Sequence, residues 1–77
     1  MEIKVYSTQT CPYCHMAKDY LKSKNIEFND IDVSKDSAAA DEMVKVSGQM
    51  GVPVITIDKE VIVGFDKGRI DSLLNIS

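Results

Sequence analysis

Apolar residues along this chain follow two alternating rhythms, short continuous runs and runs at helical intervals. Ile3-Lys4-Val5-Tyr6 is a short apolar run closed by Ser7 and Thr8, which predicts a buried strand. Helical spacing follows at Tyr13, Met16, Ala17, Tyr20 and Leu21, so a helix with one apolar face is expected. Thr10 is placed to cap it, and Pro12 falls in the first turn, where a missing N–H costs nothing. Asn25 is the expected stop. Ile26, Phe28, Ile31 and Val33 then alternate with a change of phase, predicting a strand with either a bulge or apolar contacts on both faces. Ser34 or Asp36 caps a second helix that turns Ala39, Met43, Val44 and Val46 or Ser47 inward and ends at Gly48. Val54–Ile57 and Val61–Val63 read as two strands joined by Asp58-Lys59-Glu60. Asp66 opens a last helix carrying Ile70, Leu73 and Leu74.

The order strand–helix–strand–helix–strand–strand–helix predicts an α/β fold. Its first strand, helix and strand form a parallel unit, and its last two strands add an antiparallel pair. One mixed four-stranded sheet with helices on both faces follows. In such sheets reactive loops lie beyond the carboxyl ends of strands. Cys11 falls there.

Length and charge narrow the classes. The 77 residues are expected to form one domain spanning 1–77 with a modest core. The net charge of −3 is interspersed and no basic cluster stands out, so nucleic-acid binding is not expected. The longest apolar stretches are far too short for a membrane helix. Met1-Glu2-Ile3-Lys4 does not read as a signal peptide, and a cytoplasmic monomer is the expectation.

The two cysteines of the chain are Cys11 and Cys14, in Cys11-Pro12-Tyr13-Cys14. In a cytoplasmic chain a single Cys-x-x-Cys points to redox chemistry or metal binding rather than a structural staple. At a helix start, unpaired N–H groups and the helix dipole favour a thiolate on the first sulfur. That thiolate attacks a disulfide, and the second thiol is near enough to displace the product. Lys18 lies about two turns along the helix from Cys11, roughly 10 Å away, too far for a direct ion pair. With His15 the motif also matches the c-type haem attachment pattern. Haem is disfavoured by the missing signal peptide, the lack of a second His and the strand-rich second half. Cys11, Cys14 and His15 supply three metal ligands at most, with no second Cys/His pair to complete a tetrahedron. His15 otherwise reads as a helix-surface residue. Tyr13 reads as an exposed aromatic wall beside the nucleophile, and Asp30, Asp32 and Asp36 as a solvated edge and loop.

Cys11-Pro12-Tyr13-Cys14 after a first strand, Val52-Pro53 before a third and Gly64-Phe65-Asp66 after a fourth resemble the glutaredoxin family over essentially the whole chain. The resemblance implies a thioredoxin fold, with Cys11 as nucleophile and Cys14 as resolving thiol. It also implies a cis peptide before Pro53 and a substrate groove formed by Tyr13, the Val52 backbone and Asp66. Gln49 is expected to reach a substrate carboxylate, and Met50 to line the groove near Val52. Phe65 reads equally as core or as a docking contact. Two positions depart from glutathione-using relatives. Thr8 stands where a Lys is usual, and Phe65 where a small residue or Cys is usual. Gly64-Phe65 looks more like redoxins that draw electrons from thioredoxin reductase. The resemblance therefore implies reduction of protein disulfides, and of glutathione-mixed disulfides, with glutathione or thioredoxin reductase as donor. No tightly bound cofactor or metal is expected. A thiol carrier of metal or an iron–sulfur cluster is the alternative of a different class, and Pro12 stiffens the loop against it.

Overall fold

A computed structural model describes residues 2–74. The elements run β1 (Ile3–Ser7), α1 (Pro12–Ser23), β2 (Asn29–Asp32), α2 (Ser37–Ser47), β3 (Val54–Ile57), β4 (Glu60–Val63) and α3 (Lys67–Leu74). The sheet order is β2-β1-β3-β4. β1 runs parallel to β2, with Val5 opposite Asp30 and Tyr6 opposite Ile31. It runs antiparallel to β3, which in turn pairs antiparallel with β4. The expected mixed four-stranded sheet with three helices is present, and it is a thioredoxin fold.

Alternation along the central strands divides the core into two layers. Ile3, Val5, Ile55, Ile57 and Ile62 face α1 and α3, where Ala17, Leu21 and Ile70 complete the larger cluster. Tyr6 and Val54 face α2 and pack with Ala39 and Met43. This explains the phase change before Val33. Ile26 and Phe28 pack on the larger cluster, whereas Ile31 and Val33 pack on the α2 side. Contacts on both faces account for the pattern, and β2 begins only at Asn29.

Three local expectations are corrected. The N-cap of α1 is Cys11 rather than Thr10. The buried stripe of α1 is Cys14, Ala17 and Leu21, and it leaves Tyr13 and Met16 exposed. A buried thiol packs as a small hydrophobe, and including Cys14 rotates the apolar face away from Tyr13. The β3–β4 turn uses only Asp58 and Lys59, with Ile57 paired to Glu60. Asp58, at φ 53°, takes the left-handed conformation that glycine usually supplies there.

The helix ends follow their chemistry. Asn25, at φ 59°, closes α1, donating to the Lys22 carbonyl while Ile26 donates to Leu21. That pattern satisfies carbonyls that would otherwise lack partners, and it draws Ile26 onto the core beside Leu21. Asp36 rather than Ser34 caps α2 through the Ala39 N–H at 3.1 Å. Gly48, at φ 74°, ends that helix, and Val46 lies on its exposed side.

Candidate active site

β1 emerges from the middle of the sheet and delivers a short loop, Thr8 to Thr10, directly to the start of α1. Cys11 is the residue at the turn. Its backbone is extended, at φ −95° and ψ 109°, and its sulfur accepts the Cys14 N–H at 3.2 Å. The nucleophile candidate thus occupies the position where a helix offers unpaired N–H groups and its positive dipole end. Pro12 in the first turn supplies the right φ and has no N–H to satisfy. His15 Nε2 donates to the Gln9 carbonyl at 2.9 Å, tying the loop to the helix from outside.

Both cysteines are free, and their settings differ. Cys11 is half-buried, while Cys14 is fully buried. Burial first, and then the hydrogen bond with Cys11, push the Cys14 thiol up to about 11, while the Thr8 backbone N–H and the Lys18 charge oppose the rise. The Cys14 thiol is therefore protonated at neutral pH and can donate to Cys11.

A second loop faces the first. The Val52-Pro53 peptide is cis, and the Val52 carbonyl lies 3.8 Å from Cys11 Sγ. The Pro53 carbonyl accepts the Gly64 N–H at 2.8 Å, which joins the loop before β3 to the chain leaving β4. Gly64 adopts φ 81°, a conformation costly for any other residue. Tyr13 is 62% exposed and Met50 81% exposed, an unusual state for large apolar side chains.

A model of the glutaredoxin family matches residues 3–62. The chain belongs to the glutaredoxin family. It is 56% identical over 72 residues to an uncharacterized glutaredoxin-like 8.6 kDa protein in the rubredoxin operon of Clostridium pasteurianum, covering 94% of this chain and 96% of that one. It is 39% identical over 79 residues to glutaredoxin 3 of Escherichia coli K12, covering 94% and 95%. Among solved structures, NrdH-redoxin from Escherichia coli superposes with a TM-score of 0.85 at 26% identity, over 95% of each chain. That protein is a glutaredoxin-like protein with a thioredoxin-like activity profile. The chain is accordingly a disulfide oxidoreductase of the glutaredoxin family with a Cys-x-x-Cys pair.

Within this glutaredoxin the expected groove residues have different engagements. Val52 and Pro53 stand beside Cys11, and Tyr13 projects from the first turn of α1. Asp66 caps α3, its Oδ1 accepting the Arg69 N–H at 3.1 Å, and its side chain is exposed. Phe65 is half-buried and packs edge-on against Tyr20 at 5.9 Å between ring centres, on the larger core cluster. The Gln49 amide is occupied by its own loop, giving to and receiving from the Gly51 backbone. Asp30 and Asp32 lie on the edge strand β2 and Asp36 in the loop before α2, with Asp30 and Asp36 exposed as expected, and each also has a partner. Asp36 is the α2 cap, Asp32 receives Ser34, and Asp30 binds Ser7 and Lys18.

The last of these is a polar cluster that sequence reasoning missed. Lys18 Nζ lies 3.2 Å from Asp30 Oδ2 and 3.4 Å from Ser7 Oγ, and the Ser7 hydroxyl donates to Asp30 Oδ1 at 3.0 Å. Ser7 is 1% exposed. No sequence signal marks it, because its members come from β1, α1 and β2 and meet only through the sheet register. Among the described residues no three His, Cys, Asp or Glu side chains converge as metal ligands, and no helix is long and apolar enough to cross a membrane.

Proposed function

We propose that this glutaredoxin reduces disulfides of other proteins through a Cys11/Cys14 dithiol cycle. The observation that carries the reading is the half-exposed Cys11 sulfur at the N-cap of α1, accepting the Cys14 N–H at 3.2 Å. In the cycle Cys11 attacks the substrate disulfide and Cys14 displaces the reduced product. The Val52 backbone and Tyr13 flank the substrate, with Pro53 shaping the loop. Asp66 and Phe65 form the far wall, and Gln49 reaches that wall only after releasing Gly51. The compartment that suits this chemistry is the cytoplasm, where thiols are kept reduced.

Trapping tests the reading. Cys14→Ser is expected to accumulate a mixed disulfide through Cys11 when given a protein disulfide, and Cys11→Ser to accumulate none. A Cys14→Ser protein that traps nothing sinks the dithiol cycle. A thiol carrier of metal predicts the same null result, together with metal that copurifies with the wild type and is lost from the variant.

The electron donor has a second reading with its own support. Thr8 offers no cation to a glutathione carboxylate, and Lys18 beside it is engaged by Asp30. One missing charge-assisted contact weakens binding by roughly 1.5–3 kcal/mol, about ten- to a hundredfold. Direct reduction by thioredoxin reductase fits this site better than reduction by glutathione. NADPH consumption by the oxidised protein, with thioredoxin reductase alone or with glutathione and its reductase, separates the two. Faster turnover in the glutathione system would reverse the assignment.

A further inference from the structure

Phe65 sits between two fixed points. The residue before it, Gly64, donates its N–H to the Pro53 carbonyl at 2.8 Å, which ties the segment to the loop that carries Val52. The Phe65 ring meets Tyr20 of α1 edge-on, with 5.9 Å between ring centres. Tyr20 in turn is held by three groups. Its hydroxyl donates to Asp71 Oδ1 on α3, and the ammonium groups of Lys67 and Lys24 lie 5.2 Å and 5.7 Å from its ring centre. Lys67 also pairs with Asp71 Oδ2 at 3.0 Å, and the Asp71 side chain is only 18% exposed. The Tyr20 hydroxyl first, and then Lys67, hold the Asp71 carboxyl below the usual carboxylate range.

α3 has little means of fixing itself. It is 8 residues long and carries Gly68 in its first turn, and a helix so short is not stable alone. Ile70 anchors it in the core, but burial of an apolar side chain is non-directional and sets the rotation and slide of a helix poorly. The Arg69–Glu60 pair at 3.5 Å is half exposed and adds little. A hydroxyl bonded to a shielded carboxylate is directional and charge-assisted, so the Tyr20–Asp71 contact supplies what Ile70 does not. Asp66, which caps α3, directly follows Phe65, so the placement of α3 and of Phe65 fixes the placement of Asp66.

We propose that Tyr20, bonded to Asp71, is a positioning residue for protein substrates, holding Phe65 and the Asp66 cap as a preformed wall of the groove. The inference rests on the reading of Phe65 and Asp66 as the far wall. A wall set in advance needs no ordering when the substrate arrives, and affinity gains by the cost avoided. The clamp therefore governs how tightly a protein disulfide binds rather than how fast Cys11 reacts. A small disulfide needs only the Cys11 sulfur and the space in front of it, so the clamp matters for substrates large enough to reach across the groove.

The test follows oxidation of the reduced protein by rapid acid quench and mass spectrometry, with insulin as the protein disulfide and with a small aryl disulfide. Tyr20→Phe keeps the ring against Phe65 and loses the bond to Asp71, and Asp71→Ala removes the same bond from the other side. Each is expected to raise the insulin concentration that gives half the maximal rate by roughly three- to tenfold, a part of what a bond to a charged group is worth. The maximal rate, and the rate with the small disulfide, are expected to stay within about twofold of wild type. The double variant is expected to be no worse than Asp71→Ala alone, and fully additive losses would place the effect outside this bond and overturn the inference. An unchanged half-saturating concentration in Tyr20→Phe overturns it as well and leaves the dithiol cycle intact. So does an equal loss with both disulfides, which would show that the clamp merely supports the fold around Cys11. A wild-type protein that insulin does not oxidise removes the underlying reading too.

Discussion

At the residue scale, the two thiols show how one motif yields two different chemical groups. Cys11 lies where helix N–H groups converge, and Cys14, three residues on, lies in the core. The difference has a consequence for stability with a definite sign. The Cys14 thiol is raised to about 11 in the folded reduced protein from an ordinary 9.0, so the folded state holds its proton more tightly than the unfolded chain does. The stability of the reduced protein is therefore expected to fall as pH rises from about 9 toward 11, with no contribution from this group below about pH 8. Urea unfolding under reducing conditions at several alkaline pH values checks this. Cys14→Ala should lack that part of the slope, and an equal slope in both proteins would contradict the assignment. The same residue shows the limit of reading the chain alone. Read only for its chemistry, Cys14 falls outside the predicted core, and the predicted apolar face of α1 turns toward Tyr13 and Met16, which the structure leaves exposed.

At the scale of elements, local rules were readable where one residue governs one end. Gly48 closing α2, Asn25 closing α1 and Asp66 opening α3 are where composition predicted them. The cap of α1 was not readable, because a thiol is absent from the usual list of N-cap residues and Thr10 is on it. The polar cluster of Ser7, Lys18 and Asp30 was not readable either, since it joins β1, α1 and β2 across distances that only the sheet register sets. Asp36→Ala is expected to lower stability by about 1 kcal/mol through loss of the Ala39 N–H partner. Gly48→Ala is expected to cost about the same for a different reason. Its added Cβ meets nothing within 4 Å, so only the left-handed backbone is penalised. Thermal unfolding of the two variants checks both values, and a Gly48→Ala protein as stable as wild type would refute the conformational account.

Across the whole molecule, the motifs carried the family and the reaction class, while the two-layer core decides how much damage the chain tolerates. A 77-residue protein is expected to have about 4–12 kcal/mol of stability in all. Ile55 is fully buried on a central strand, so Ile55→Ala is expected to remove about 2–5 kcal/mol. Val63→Ala, on a side chain 52% exposed, should stay within about 0.5 kcal/mol. Denaturant midpoints would show the contrast, and similar losses at the two sites would contradict the assignment of the core. One local contact reaches this scale as well. The sulfur that caps α1 is also the sulfur that reacts in the proposed cycle. Each turnover then exchanges a free sulfur at the cap for a disulfide sulfur, so the firmness of the first helical turn and the electron-donating tendency of the protein become a single linked quantity. A change that loosens that turn, even far from any substrate, would shift the redox balance of the whole chain.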